Sequence, residues 1–194
     1  MPILQRVLTI KSTAREQSIL VVVLAPSKEL CHQIYSCFTE LGSSCTRDIQ
    51  IVDISSHSDV NSVKSVLNER PDIVIATPAR ILNHLEEKTI SLKDSLEMLV
   101  IDEADLVFSF GFEKDLKNLL GHLPRIYQSI LASATLSEEV MELKKLVLHN
   151  PVILKLQEPM VPSSCQLAHY VIRVSSLLYK LLCSTLVTGQ PWDF

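Results

Sequence analysis

Apolar, β-branched runs recur along the chain at residues 19–25 (Ile-Leu-Val-Val-Val-Leu-Ala), 49–54, 72–76, 96–101 and 127–132, each followed by a stretch with apolar positions at helical spacing. Short runs without polar alternation suit strands covered on both faces, and strands alternating with helices predict a parallel sheet between helical layers, an α/β fold. The clearest helix follows the first strand. Leu30, Ile34, Phe38 and Leu41 stand at i, i+4, i+8 and i+11, and Gly42 is placed where a C′ glycine would end it. Further helices are predicted over 59–69, 79–87, 113–121 and 137–147. Asn150-Pro151 opens a short strand from Val152 to Lys155, and Glu158-Pro159-Met160-Val161-Pro162-Ser163-Ser164 has linker composition. The expected division is a domain over 1–157, a linker over 158–166, and residues 167–194 as the truncated start of a second domain, opened by the strand-like His169–Val174 and ending in a divergent tail.

Open α/β sheets bind ligands at the carboxyl ends of their strands. The segments that matter most are therefore Pro26-Ser27-Lys28-Glu29-Leu30, Thr77-Pro78-Ala79-Arg80, Asp102-Glu103-Ala104-Asp105 and Ser133-Ala134-Thr135. A hydrophobic strand that ends in two carboxylates needs a cation or hydrogen bonds to compensate them. Asp102 and Glu103 are consecutive and point in different directions, so one can reach a metal's water shell while the other polarises an attacking water. Read alone, the acidic pair also fits a solvated turn, and Ser133 and Thr135 also fit caps of the helix that starts near Ser137.

Composition narrows this picture. With 194 residues and 47% hydrophobic content, the chain can bury one domain, and a net charge of −4 gives it no general field for nucleic acid, so RNA binding would be local. The five cysteines, Cys31, Cys37, Cys45, Cys165 and Cys183, are odd in number and form no C-x-x-C, which points to reduced thiols rather than disulfides or zinc. No run is long and apolar enough for a membrane span, and no membrane partner is expected. None of Gly42, Gly111, Gly121 and Gly189 is followed by Lys-Ser or Lys-Thr, so the phosphate loop G-x-x-x-x-G-K-[ST] is absent.

Taken in order, these segments resemble the DEAD-box ATP-dependent RNA helicases of superfamily two. Pro26-Ser27-Lys28-Glu29-Leu30 with Gln33 is similar to the family's P-T-R-E-L-x-x-Q, Thr77-Pro78-Ala79-Arg80 to its T-P-G-R, and Asp102–Asp105 and Ser133–Thr135 to its D-E-A-D and S-A-T. The likeness runs from residue 1 to about 174. Leu96–Ile101, Phe108–Glu113, His122–Gln128 and Leu148–Pro151 look most like the family's nucleolar members of large ribosomal subunit assembly.

The resemblance implies a RecA-like domain of the P-loop NTPase type, lacking the P-loop strand, with ATP and magnesium as cofactors. It implies that Asp102 holds magnesium through water, that Glu103 orients the hydrolytic water, and that Asp105 bonds to Ser133 and Thr135 to couple nucleotide state to domain closure. It further implies that Pro26, Lys28, Glu29, Thr77, Pro78 and Arg80 follow the backbone of single-stranded or structured RNA without reading sequence. Pre-ribosomal particles as partners and the nucleus and nucleolus as location follow from the same likeness. Three departures stand out: no Gly-Gly occurs around Ile54–Ser58, Ala79 replaces a glycine, and Ser27 replaces a threonine. RNA contact near 54–58 is therefore not expected, and His57 reads as a surface residue.

Pro2-Ile3-Leu4-Gln5 resembles the end of the helix that follows the family's P-loop. The loop, the adenine-reading motif and the second RecA-like domain thus lie outside this chain, which is expected to bind ATP weakly and neither to hydrolyse it nor to unwind RNA alone. The missing strand would leave an open apolar edge near Ser129–Ala132, and self-association is expected from it. The competing readings are a non-catalytic RNA- or partner-binding module and an inert truncated product.

Overall fold

The computed structural model describes residues 1–13, 16–43, 49–56, 60–135, 137–148 and 150–154. The elements are α1 (Pro2–Thr13), β1 (Val21–Leu24), α2 (Lys28–Ser43), β2 (Ile51–Asp53), α3 (Val60–Asn68), β3 (Ile73–Ala76), α4 (Pro78–Glu86), β4 (Met98–Ile101), α5 (Ala104–Ser109), α6 (Glu113–Leu120), β5 (Gln128–Leu131) and α7 (Glu138–Val147). The strands form one parallel sheet in the order β2-β3-β1-β4-β5. The chain divides into two compact units, Met1–Pro151 and Val152–Phe194. The expected linker, the strand-like His169–Val174, the tail and His57 lie outside the described residues.

Every residue of β1, β3 and β4 is buried, as their unbroken apolar sequences require. The pleat splits them between two cores. Val22, Leu24, Val74, Ala76, Leu99 and Ile101 face α3 to α7, while Val21, Val23, Ile73, Ile75, Met98 and Val100 face α1 and α2. Each fully buried aliphatic side chain contributes roughly 1.5–3 kcal/mol, so these three strands dominate the stability of the sheet. The edges differ: β2 is partly covered, and β5 is exposed or half-buried at all four positions and ends the sheet on its side among the described residues.

At the amino-terminal edge of the sheet, Asp72 is 1% exposed. Its carboxylate accepts from Lys11 Nζ at 2.7 Å, Gln17 Nε2 at 3.0 Å and Gln50 N at 2.8 Å, while its carbonyl accepts from the Leu20 and Val21 amides. One residue thus joins α1, the start of β1 and the start of β2 to β3. Cys31 is also buried, and loss of solvent pushes its thiol up to about 11, which makes it a core residue rather than a nucleophile. His84 on α4 is buried with neither ring nitrogen hydrogen-bonded among the described residues, and burial first, then the Arg80 cation, holds its pKa below the usual histidine value.

Two sequence expectations need correction. Gly42 does not end α2, which continues to Ser43; the glycine packs against β2, where an added Cβ would meet Ile51 Cδ1 at 3.5 Å. That is an ordinary contact distance, so the packing there does not require a glycine. The strand expected over Val152–Lys155 does not form across its described residues: Val152, Ile153 and Leu154 are exposed and pair with no strand. A β-branched run needs a neighbouring strand to become one. Helix α5 was not anticipated, and α1, of which Pro2–Gln5 was expected to be the end, runs on to Thr13.

Candidate active site at the carboxyl edge of the sheet

Because all five strands are parallel, their carboxyl ends share one edge, and each anticipated segment leaves the sheet there. The ladder continues beyond the strands: Ala25 N bonds to Ala76 O at 3.1 Å, Asp102 N to Leu24 O at 2.9 Å, Ile54 N to Ile75 O at 3.0 Å and Ala132 N to Ile101 O at 2.9 Å. The loops that carry functional side chains are therefore anchored at their roots.

Two groups of residues result. The first lies over β4 and β5. Asp102 and Glu103 are half-buried, and the Glu103 amide donates to Asp102 Oδ1 at 3.0 Å. Glu103 sits in the left-handed region at φ 48° and ψ 53°, a conformation that costs a side-chain-bearing residue about 1–2 kcal/mol. That strain turns the chain sharply from β4 into α5 and leaves the Glu103 carboxylate without a hydrogen-bond partner among the described residues. Ala104 N then bonds to Ala132 O at 3.0 Å, and Thr135 Oγ1 donates to Asp105 Oδ2 at 3.0 Å. These two bonds join the acidic turn to the Ser-Ala-Thr segment.

Burial tends to raise the Asp105 carboxyl, but hydrogen bonding from Thr135, from its own amide and from Leu106 outweighs that, and the carboxyl lies below its ordinary value. Ser133 also favours ionised Asp105 from close by, and its buried Oγ meets no other hydrogen-bond partner among the described residues. The cap of α7 comes instead from Ser137, whose Oγ accepts from Val140 N at 3.4 Å. Ser133 and Thr135 are thus free of the capping role that the sequence left open.

The second group lies over β1, β2 and β3. Ser27 Oγ accepts from Leu30 N at 3.2 Å and caps α2, so the serine does what a threonine would do there. Lys28 is exposed at the first position of that helix. Hydrogen bonding from its own amide, and then from Ser27, holds the Glu29 carboxyl below its usual range at the helix start. Pro26 and Pro78 are buried, and Pro78 opens α4 at the position where a missing N–H costs nothing. Thr77 precedes it with extended dihedrals and a hydroxyl that does not cap the helix. Arg80 Nε donates to Ile54 O at 3.3 Å, fastening α4 to the loop after β2. The sequence held no sign of that link, nor of the left-handed backbone at Glu103.

Magnesium fits the acidic turn in a limited way. Among the described residues no three His, Cys, Asp or Glu side chains gather as a metal site, and magnesium is commonly held by one or two carboxylates together with water and nucleotide phosphates.

A parallel sheet whose β4 ends in a strained acidic turn, bonded through its neighbour to a Ser-Ala-Thr segment, is a RecA-like helicase domain. The chain belongs to the DEAD/DEAH box helicase family, whose model matches residues 1–143. It is 38% identical over 194 residues to a probable ATP-dependent RNA helicase, ddx56, of Dictyostelium discoideum, covering 97% of this chain and 28% of that protein. It is also 38% identical over 195 residues to the ATP-dependent RNA helicase dbp9 of Schizosaccharomyces pombe, covering 97% of this chain and 32% of that one. A crystal structure of a DEAD box protein from the hyperthermophile Methanococcus jannaschii superposes with a TM-score of 0.64 at 27% identity, over 70% of this chain and 36% of that chain. The chain thus spans about a third or less of the length of these curated relatives.

Proposed function

We propose that this chain supplies the hydrolytic carboxylates and one RNA-backbone track of an ATP-dependent RNA helicase, in the work of remodelling RNA during nucleolar assembly of the large ribosomal subunit. The observation that carries the reading is the pair of bonds, Ala104 to Ala132 and Thr135 to Asp105, that ties the Asp102-Glu103 turn to the Ser-Ala-Thr segment. In this reading Asp102 would hold magnesium through its water shell, and Glu103 would orient the hydrolytic water. Bound magnesium would offset phosphate charge as it develops. Asp105, with Thr135 and Ser133 beside it, couples this turn to the Ser-Ala-Thr segment and through it to nucleotide state and domain closure.

For RNA, Lys28, Thr77 and Arg80 stand at the starts of α2 and α4 on one edge of the sheet, two cations and a hydroxyl of the kind that holds phosphate without reading bases. Pro26 and Pro78 fix the entry of the two helices, and Glu29 stabilises its own helix start.

Affinity for ATP should be small in the chain alone. A micromolar site needs about 8 kcal/mol, and a P-loop supplies several charged hydrogen bonds of roughly 1.5–3 kcal/mol each. RNA-stimulated ATP turnover should be measured for the chain alone and for the chain completed by a P-loop segment and a second RecA-like domain. Turnover is expected only in the completed protein, and Glu103→Gln should lower it about 10²–10⁴-fold with RNA binding unchanged. Turnover by the chain alone that Glu103→Gln abolishes would overturn the incompleteness, and a completed enzyme indifferent to Glu103→Gln would overturn the role of that residue. The alternative of a non-catalytic binding module draws on the exposed Lys28 and the two helix starts; it requires RNA binding by the chain and no loss in the completed enzyme on Glu103→Gln.

A further inference from the structure

The geometry points to a nucleobase-binding cleft beside the RNA track, at the β2 edge of the sheet; this deepens the RNA reading above and rests on it. A cleft of about 360 Å³ opens between α2, β2 and α3, walled by His32 and Tyr35 on one side and by Val63 and Val66 on the other, with Asp53 and Ser56 at its polar end. That size falls within the range of about 300–1,000 Å³ typical of small-ligand sites.

Lys28, His32 and Tyr35 stand at i, i+4 and i+7 on α2 and so form one stripe down the helix. Its top is the cation at the RNA edge; below it are two rings with centroids 6.3 Å apart and planes inclined by 27°. Ile54 lines the cleft, and its carbonyl is the atom on which Arg80 rests, at 3.3 Å. A strand of RNA held by Lys28 and Arg80 therefore passes the mouth of the cleft, within reach of a base turned inward.

The chemistry selects a base over a phosphate. Asp53 is 8% exposed and its Oδ1 already accepts from the Ser55 amide at 2.8 Å; its second oxygen repels an anion and can accept from an exocyclic amine. The imidazole and phenol offer flat faces on which any base can stack, and Asp53 favours cytosine or adenine over uracil, which carries no amino group. The missing Gly-Gly after β2 had argued against RNA contact here. What the cleft adds is contact with a base, where that motif would have served the backbone.

The test is equilibrium binding of the full chain, by fluorescence anisotropy at low salt, to labelled single-stranded RNA decamers of cytosine, of uracil and of abasic ribose-phosphate. Cytosine should bind roughly five-fold or more tighter than the abasic decamer, with uracil between them. His32→Ala and Tyr35→Leu should bring that ratio towards one while leaving abasic affinity unchanged, and Lys28→Ala should weaken all three decamers together. Tyr35 is half-buried against the core whereas His32 is exposed, so His32→Ala carries the test if Tyr35→Leu fails to fold. A wild-type ratio of one, or a ratio that survives both substitutions, overturns the cleft and leaves the backbone track standing. Binding to none of the decamers overturns the RNA track and the cleft with it.

Discussion

Acidic side chains occupy both ends of the sheet, and the two ends treat them differently. At the amino-terminal edge the Asp72 carboxylate is buried and receives bonds from Lys11, Gln17 and Gln50. At the carboxyl edge Asp102 accepts only from the neighbouring Glu103 amide among the described residues, and the Glu103 side chain has no partner on a backbone held in the left-handed region. Charge alone would not separate these residues. What separates them is whether the fold itself supplies their partners: where it does, the group holds elements together, and where it does not, the group is left for a ligand.

The largest expected effect tests the satisfied end. Asp72→Ala removes the carboxylate that Lys11 meets at 2.7 Å and takes away the acceptor of the Gln50 amide and of Gln17 Nε2. Removing one partner of a buried pair typically costs about 3–5 kcal/mol. Urea unfolding should show that loss, whereas Asp102→Ala at the open end should move stability by less than about 0.5 kcal/mol. Equal losses at the two positions would break the contrast.

The intermediate effect concerns the strain at the open end. Glu103→Gly relieves a left-handed residue of about 1–2 kcal/mol and adds back roughly 0.5–1 kcal/mol of chain entropy in the unfolded state, so a gain of up to about 1.5 kcal/mol is expected. The same change removes the carboxylate proposed to orient water. A variant that is more stable yet inactive in the completed enzyme would show that this edge is held for chemistry at the expense of stability; a destabilised one would show that the Glu103 carboxylate has a structural partner after all.

Much of this contrast could be read from the sequence, for physical reasons. The buried strands β1, β3 and β4 are legible because a fully covered parallel strand can hold only apolar residues, and the ligand edge follows from topology alone. The order of motifs then located Asp102, Glu103, Lys28 and Arg80. Other features are set by tertiary contact and leave no local trace. Asp72 stands before a strand like many aspartates, and only the arrival of Lys11 from α1, 61 positions earlier, makes it a structural hub. Gly42 carried a misleading signal, since a glycine can stand inside the last turn of a helix as well as just beyond it. Arg80 was legible as a cation at a helix start but not as the group that secures Ile54, because a bond to a backbone carbonyl makes no demand on the identity of the residue that offers it.

The smallest effect sharpens the comparison within the open end itself, where Thr135 does give one carboxylate a partner. The Asp105 carboxyl lies below its ordinary value of 3.8, so the native state releases that proton more readily than the unfolded chain does. The resulting stabilisation is complete above the ordinary carboxylate range and is lost as pH falls through the lower, native value. Thr135→Val removes the hydroxyl donor while keeping the side chain's shape, and because this bond is exposed its loss should cost only about 0.5 kcal/mol at pH 7. By pH 3 the variant and the parent chain should have drawn closer, since the carboxyl of the unfolded chain, with its ordinary value of 3.8, is by then largely protonated and the advantage of the ionised native form shrinks. Urea melts at the two pH values decide the matter: a gap that narrows on acidification marks a bond to an ionised carboxylate, as coupling to nucleotide charge requires, whereas a gap that stays constant would mean that Thr135 acts through packing and that Asp105 is as unpartnered as its neighbours.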